Sequence, residues 1–328
     1  MRVTSKRILN RTARLAVLAA ISCSSNVYAW DALPAYNQGT LARSFALPAI
    51  GQSSVLGASQ SSFSADYDLT TEYYVDSSLN ESITIDGETS AFALSWRQGI
   101  GNNLELSARL PVLIVGGGFM DHFIDQWHKT FGLPDGGRPL AASDVRQISY
   151  VVNGNPVLDV QQSGTTLGDI ELAAGWKVGE GAALRGMVKL PTGSDSKLTG
   201  GNWGGALWGD FALPFDAGSS WDGFASLGAT VAQKADALKD QQRNAAIFGG
   251  VGLGYFVTQN FELRSQLYAH SALYKNSELD SLKKPGLQLT MGGTYRWSPK
   301  VSMDVFFQED PVTYSSPDFS LHVGVTVR

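Results

Sequence analysis

Few residues in this chain are spaced for chemistry, and most belong to one segment. Asp121, Asp125 and His128 fall at i, i+4 and i+7 of a stretch with helical periodicity, a spacing that could hold a metal ion or serve acid–base work. Charged residues three and four apart also pair with one another on an ordinary solvated helix, so no metal site is assigned here. The histidines are His122, His128, His270 and His322. His270 and Ser271 are neighbours on an alternating run and point to opposite sides of a strand. Ser320 and His322 share a face, but it points into the predicted interior, away from lipid. A Ser–His pair there lacks the outer-face position that a membrane phospholipase needs, and the chain is read as a non-enzyme without a cofactor. Gly249-Gly-Val-Gly-Leu-Gly254 lies within an alternating run, not at the strand-to-helix turn of a phosphate site, so its glycines are read as packing or curvature.

The elements that position these residues follow a period of two. Leu104, Leu106, Ala108, Leu110, Val112 and Ile114 fall on one face, with Glu105, Ser107 and Arg109 on the other. The split returns in Phe261, Leu263 and Leu267 against Glu262, Arg264 and Gln266. It ends in Phe319, Leu321, Val323, Val325 and Val327 against Ser320, His322, Gly324 and Thr326. Short turns alternate with longer loops, and about twelve strands run from residue 61 to 328. This predicts an all-β fold, a transmembrane antiparallel β-barrel with a long helix-containing extracellular loop. Tyr73, Tyr74, Trp96, Trp176, Trp203, Trp221, Tyr255, Tyr274, Tyr295 and Trp297 are expected to form interfacial girdles.

Targeting agrees with export. Arg2, Lys6, Arg7, Arg11 and Arg14 precede an apolar run from Leu15 to Ile21, and Val27-Tyr28-Ala29 supplies a small-residue cleavage site. Residues 1–29 are therefore read as a signal peptide, residues 30–58 as a periplasmic tail or a plug, and residues 59–328 as the barrel. Cys23 is the single cysteine, so the mature chain has neither disulfides nor thiolate ligands. A net charge of −5, with 17% charged residues and no basic face, argues against a nucleic-acid partner. Outer-membrane lipid, the barrel-assembly machinery and a small solute are the partners this reading implies.

Residues 116–165 form the longest loop. Met120, Phe123, Ile124, Trp127 and Phe131 share one helical face, so the segment reads as an amphipathic helix that closes over the lumen or lies on the headgroup layer. Phe119, Phe123, Trp127, His128 and Arg138 are its candidate functional residues. If apolar side chains face lipid, the lumen and gating candidates are Arg97, Glu105, Arg109, Asp169, Glu171, Arg185, Lys189, Glu262, Arg264 and Arg296. A polar lumen beneath an amphipathic lid suggests a passive channel or transporter for a small, amphipathic solute. The rival readings are a barrel that anchors an interaction surface and a lipid-acting enzyme.

Several strings resemble the uncharacterised family called domain of unknown function 3187. They are Asn37-Gln-Gly39, Asp86-Gly-Glu-Thr89, Gly117-Gly118-Phe119 through Trp127-His128, Phe131 through Arg138, Gly168-Asp169-Ile170 and Leu190-Pro-Thr-Gly193. The resemblance implies a bacterial outer-membrane protein and carries no substrate or catalytic residue with it.

Overall fold

The structure, a computed structural model, describes residues 32–132, 142–311 and 315–328. Arg138 lies outside the described residues, as do the side chains of His128 and Phe131. Fifteen strands follow in chain order: β1 (Ser61–Ser77), β2 (Glu81–Ile100), β3 (Leu104–Gly116), β4 (Gln147–Val152), β5 (Asn155–Val160), β6 (Gly164–Leu167), β7 (Ile170–Gly179), β8 (Ala182–Leu190), β9 (Gly204–Ala212), β10 (Trp221–Ala232), β11 (Ala245–Phe256), β12 (Phe261–His270), β13 (Gly286–Ser298), β14 (Val301–Glu309) and β15 (Phe319–Val327). Among the described residues two α-helices accompany them, α1 (Asp121–Phe131) and α2 (Asp280–Lys283).

Twelve of these strands close an antiparallel barrel. β1, β2, β3 and β7 through β15 each pair with their neighbours, and β15 returns to β1 with Phe63 opposite Val327 and Thr71 opposite Phe319. The other three belong to the long loop, which is richer than the helix that periodicity shows. β4 pairs with the first residues of β2, Glu81 to Asp86, β5 pairs with β4, and β6 pairs with β3.

Alternation follows from the two solvents of a barrel wall. On β1, Asp68, Thr70 and Glu72 point into the buried lumen while Phe63 stands exposed outside. Leu94, Leu207, Leu227, Val231 and Ile247 likewise present exposed apolar side chains on the outer wall, as a lipid-facing band requires. Trp96, Trp176, Trp221, Tyr255, Tyr295 and Trp297 lie exposed where strands enter the short turns, forming one aromatic girdle. Two expected girdle members are corrected. Tyr74 packs against the interior core, and Tyr274 is buried there, donating its hydroxyl to the Leu41 carbonyl at 2.8 Å.

Residues 32–57 lie inside the barrel. Pro34, Gly39, Pro48 and Gly51 break any regular pairing, so lumenal side chains take the hydrogen bonds a ladder would otherwise supply. Leu33, Phe45, Leu47 and Ile50 are buried in the interior core. On β11, a Cβ at Gly250 would meet Ile50 at 2.7 Å and one at Gly252 would meet Phe224 at 2.3 Å, so these glycines make room for packing.

The expectation that α1 closes over the lumen is corrected. Met120 and Ile124 pack with Leu69 and Phe319, flanked by Tyr67, Trp127, Phe307 and Leu321. Leu69, Leu321 and Phe307 form one cross-strand row over β1, β15 and β14 with the same parity as exposed Phe63, Val323 and Val305. The helix therefore lies on the outer wall. Its start is held by Glu88 of β2, whose carboxylate accepts from the backbone N–H groups of Phe119 and Met120. Its far end is held by Trp127, whose indole donates to Glu309 of β14 at 2.8 Å. Eleven helical residues span about 16 Å, close to the roughly 14 Å of three inter-strand steps from β2 to β14. The preceding glycines allow the crossing, since a Cβ on Gly118 (φ +82°) would lie 1.9 Å from Glu88 and one on Gly117 would lie 1.9 Å from the Asp144 carbonyl oxygen.

Candidate functional site

The predicted lumen residues fall into four groups. Arg97, Glu105 and Arg185 form the first, joined by Asp210, which is completely buried on β9. Arg97 and Arg185 both pair with Glu105, at 2.8 and 3.0 Å, and Arg185 reaches Asp210 at 3.3 Å. The network grips the interior segment. Gly51 N–H donates to Asp210 at 2.7 Å, Leu56 N–H to Glu105 at 2.8 Å, and Arg185 donates to the carbonyls of Gln52 and Ser54 at 3.0 and 2.5 Å. Buried charges that are paired and hydrogen-bonded in this way are costly to separate.

A second group fastens the β8–β9 loop. Lys189 pairs with Asp169, whose carboxylate also accepts from Gly193 and Gly201 N–H groups at 2.8 and 2.9 Å. Lys189 also donates to the Asn202 carbonyl at 2.9 Å, and the Asn202 side chain donates to Ser44 of the interior segment at 2.7 Å. Asp195, in the same loop, accepts from Asp236 N–H at 3.0 Å, and partial burial raises its carboxyl above the usual range. A third group lies near the short turns, where Glu262 binds Arg264 at 2.7 Å and Arg296 at 2.9 Å.

Arg109 and Glu171 form the fourth group. They face each other at 3.7 Å, and the Arg109 guanidinium lies 5.4 Å from the ring centre of Tyr36 on the interior segment. A cavity of about 210 Å³ lies toward the short turns and a smaller one of about 60 Å³ toward the long loops. Both are bounded by Tyr36, Leu47, Arg109 and Glu171, which therefore form a septum between them. The Tyr36 ring meets Arg109 as the neutral phenol that tyrosine is at neutral pH.

Sequence reasoning missed Tyr36 and Asp210. Asp210 carried a usable signal, since it lies two residues from Trp208 and alternates with exposed Leu207 and Phe211. Tyr36 carried none, lying in a segment without periodicity. Phe119, just before α1, and Phe123 on it are exposed, Trp127 is half-buried, and Asp121 accepts from Asp144 N–H at 2.7 Å. Among the described residues no group of His, Asp and Glu is arranged to hold a metal ion. His270 bonds Asn37 at 2.7 Å, and Ser320 bonds Thr70 at 3.1 Å without joining His322.

The model for "Protein of unknown function (DUF3187)" matches residues 8–328. The chain belongs to the DUF3187 family. The strings that carried the resemblance are mostly fasteners: Asn37 and Asp169 tie interior and loop segments to the wall, and Glu88 anchors α1. No curated protein matches the chain. Among solved structures it is similar to the COG4313 outer membrane channel from Pseudomonas putida F1, at 12% identity over 83% of this chain and 96% of that one, with a TM-score of 0.54. The toluene transporter TbuX from Ralstonia pickettii gives 10% identity over 93% and 98%, with a TM-score of 0.42. The KdgM porin gives 12% over 81% and 98%, at 0.39. The first of these likenesses supports the fold.

Proposed function

We propose that this chain is a plugged outer-membrane channel that passes a small solute along its lumen, with the Tyr36–Arg109–Glu171 septum as the gate. The observation that carries this reading is the pair of cavities on opposite sides of that septum, inside a closed barrel. In this reading residues 1–29 direct export, and the barrel-assembly machinery places the apolar outer wall in lipid. Residues 32–57 act as the plug. The short turns face the periplasm and the long loops face outward. The P. putida neighbour is itself an outer membrane channel, which agrees with the proposal.

The plug's attachment favours a gate that shifts locally over one that leaves the barrel. Many of its buried bonds would have to break together for it to depart, whereas moving Tyr36 off Arg109 breaks one cation–π contact, worth about 1–2 kcal/mol. Purified protein in planar bilayers should show small conductance steps, with larger steps once Arg185→Ala loosens the grip on residues 51–56. A barrel that stays sealed in both forms would count against solute passage.

A further inference from the structure

One wall of the larger cavity is built from acceptors. Gly324 of β15 lies opposite Asp66 of β1 on one side and Asp304 of β14 on the other. One row further along, His322 lies opposite Asp68 and Phe306. His322 Nδ1 and Asp68 are 2.7 Å apart, and the imidazole stacks on Phe306 with ring centres at 4.2 Å. In the neutral ring with Nδ1–H donating to Asp68, Nε2 is left as an acceptor. His322 is only 2% exposed, lines the cavity, and has no hydrogen-bond partner at Nε2.

Gly324 shapes the space these groups share. A Cβ there would lie 2.6 Å from Asp66 Oδ1 and 2.7 Å from His322 Nε2, so the missing side chain opens a cradle between them.

The charges on this wall are poorly matched by the protein. Asp66 accepts from Ser64 at 2.8 Å and Asp304 from Thr294, both neutral hydroxyls. Arg109 acts on Asp66 and Asp68 through space, but it faces Glu171 and lies over Tyr36. Arg97, Arg185, Arg264 and Arg296 have carboxylates of their own in Glu105, Asp210 and Glu262. Three carboxylates therefore share one already engaged guanidinium and one imidazole, His322, which is bonded to Asp68.

The acceptors are too dispersed for a metal ion, since no described group of three is arranged to hold one. A group with several diverging N–H donors suits them better. We propose that this wall binds a small primary ammonium compound, its charged head over Gly324 between Asp66, Asp304 and His322 Nε2. Leu47, Pro48, Met187 and Trp208, which also line the cavity, supply apolar surface for a short tail. The site rests on the channel reading insofar as the bound amine is the solute that passes.

The test uses the full protein purified in detergent, with n-butylammonium chloride as probe and butanol and butyrate as controls, followed by calorimetry or ligand-observed NMR. Butylammonium should bind at least about tenfold more tightly than either control, a difference that one charge-assisted contact can supply. Asp66→Asn combined with Asp304→Asn should remove that preference. Gly324→Ala should weaken binding to a similar extent while keeping every charge. Heat-modifiable migration shows which variants fold, and the comparison of the three probes on the unaltered protein needs no variant. Equal binding of butylammonium and butanol would overturn the site, as would unchanged binding in folded variants. Bilayer recordings separate the two claims. Amine binding without conductance refutes passage and keeps the site, whereas conductance through a barrel indifferent to amines does the reverse.

Discussion

The same barrel wall is covered on both sides, and the two covers are attached by different chemistry. Inside, residues 32–57 are fastened largely through hydrogen bonds to buried charges and amides, as in Gly51 to Asp210, Thr40 to Glu72 and the reciprocal pair between Leu33 and Gln266. Outside, α1 rests mainly on an aromatic and aliphatic patch. Trp127 packs edge-on against Phe307 with ring centres 5.6 Å apart, and Phe123 meets Phe319 at 6.0 Å. A polar wall selects a cover that brings donors and acceptors, and an apolar wall selects a greasy stripe. Under the proposed function this contrast leaves solute control to the lumen, while the outer helix crosses the β1–β15 closure.

The largest effect expected of breaking this contrast comes from the inner fastening. Glu105→Ala leaves Arg97 and Arg185 facing each other without their shared carboxylate, and should cost about 3–5 kcal/mol. Urea titration followed by heat-modifiable migration reads that loss, and protease cleavage within residues 51–56 should accompany it. Truncating the outer cover is next. Ile124→Ala removes a fully buried side chain and should cost about 2 kcal/mol, read by the same titration, while protease resistance of the plug stays unchanged.

A smaller effect is expected at Asp195. Its carboxyl is raised in the folded protein, so the folded state holds the proton more tightly than the unfolded chain. Its contribution is favourable at low pH and is lost as pH rises through the carboxylate range. Cleavage of the β8–β9 loop should therefore quicken modestly from about pH 4 to pH 7 in the parent. In Asp195→Asn, which keeps an acceptor for Asp236 N–H but cannot titrate, that dependence should vanish.

The barrel was legible because lipid and lumen impose opposite demands on successive residues, as Phe261, Leu263 and Leu267 against Glu262, Arg264 and Gln266 display. The charged lumen candidates followed from the same parity. Their partners did not, because the segment that meets them has no period of its own: Tyr36 completes the septum from a stretch broken by Pro34 and Gly39. The stripe of Met120, Ile124 and Trp127 told that α1 buries a face but not against which surface. An apolar stripe matches the lipid-side wall better than a polar lumen, and that argument was available from the barrel pattern. The α1–Glu88 attachment needed the fold, since nothing local links residue 88 to residue 119.

Single-channel conductance separates control of permeability by the lumenal septum from control by the outer helix. Tyr36→Ala and Ile124→Ala should be recorded in the same bilayers beside the parent protein. Control by the septum gives a clear rise for Tyr36→Ala and parent-like steps for Ile124→Ala. Parent-like conductance in Tyr36→Ala together with a rise in Ile124→Ala would contradict it.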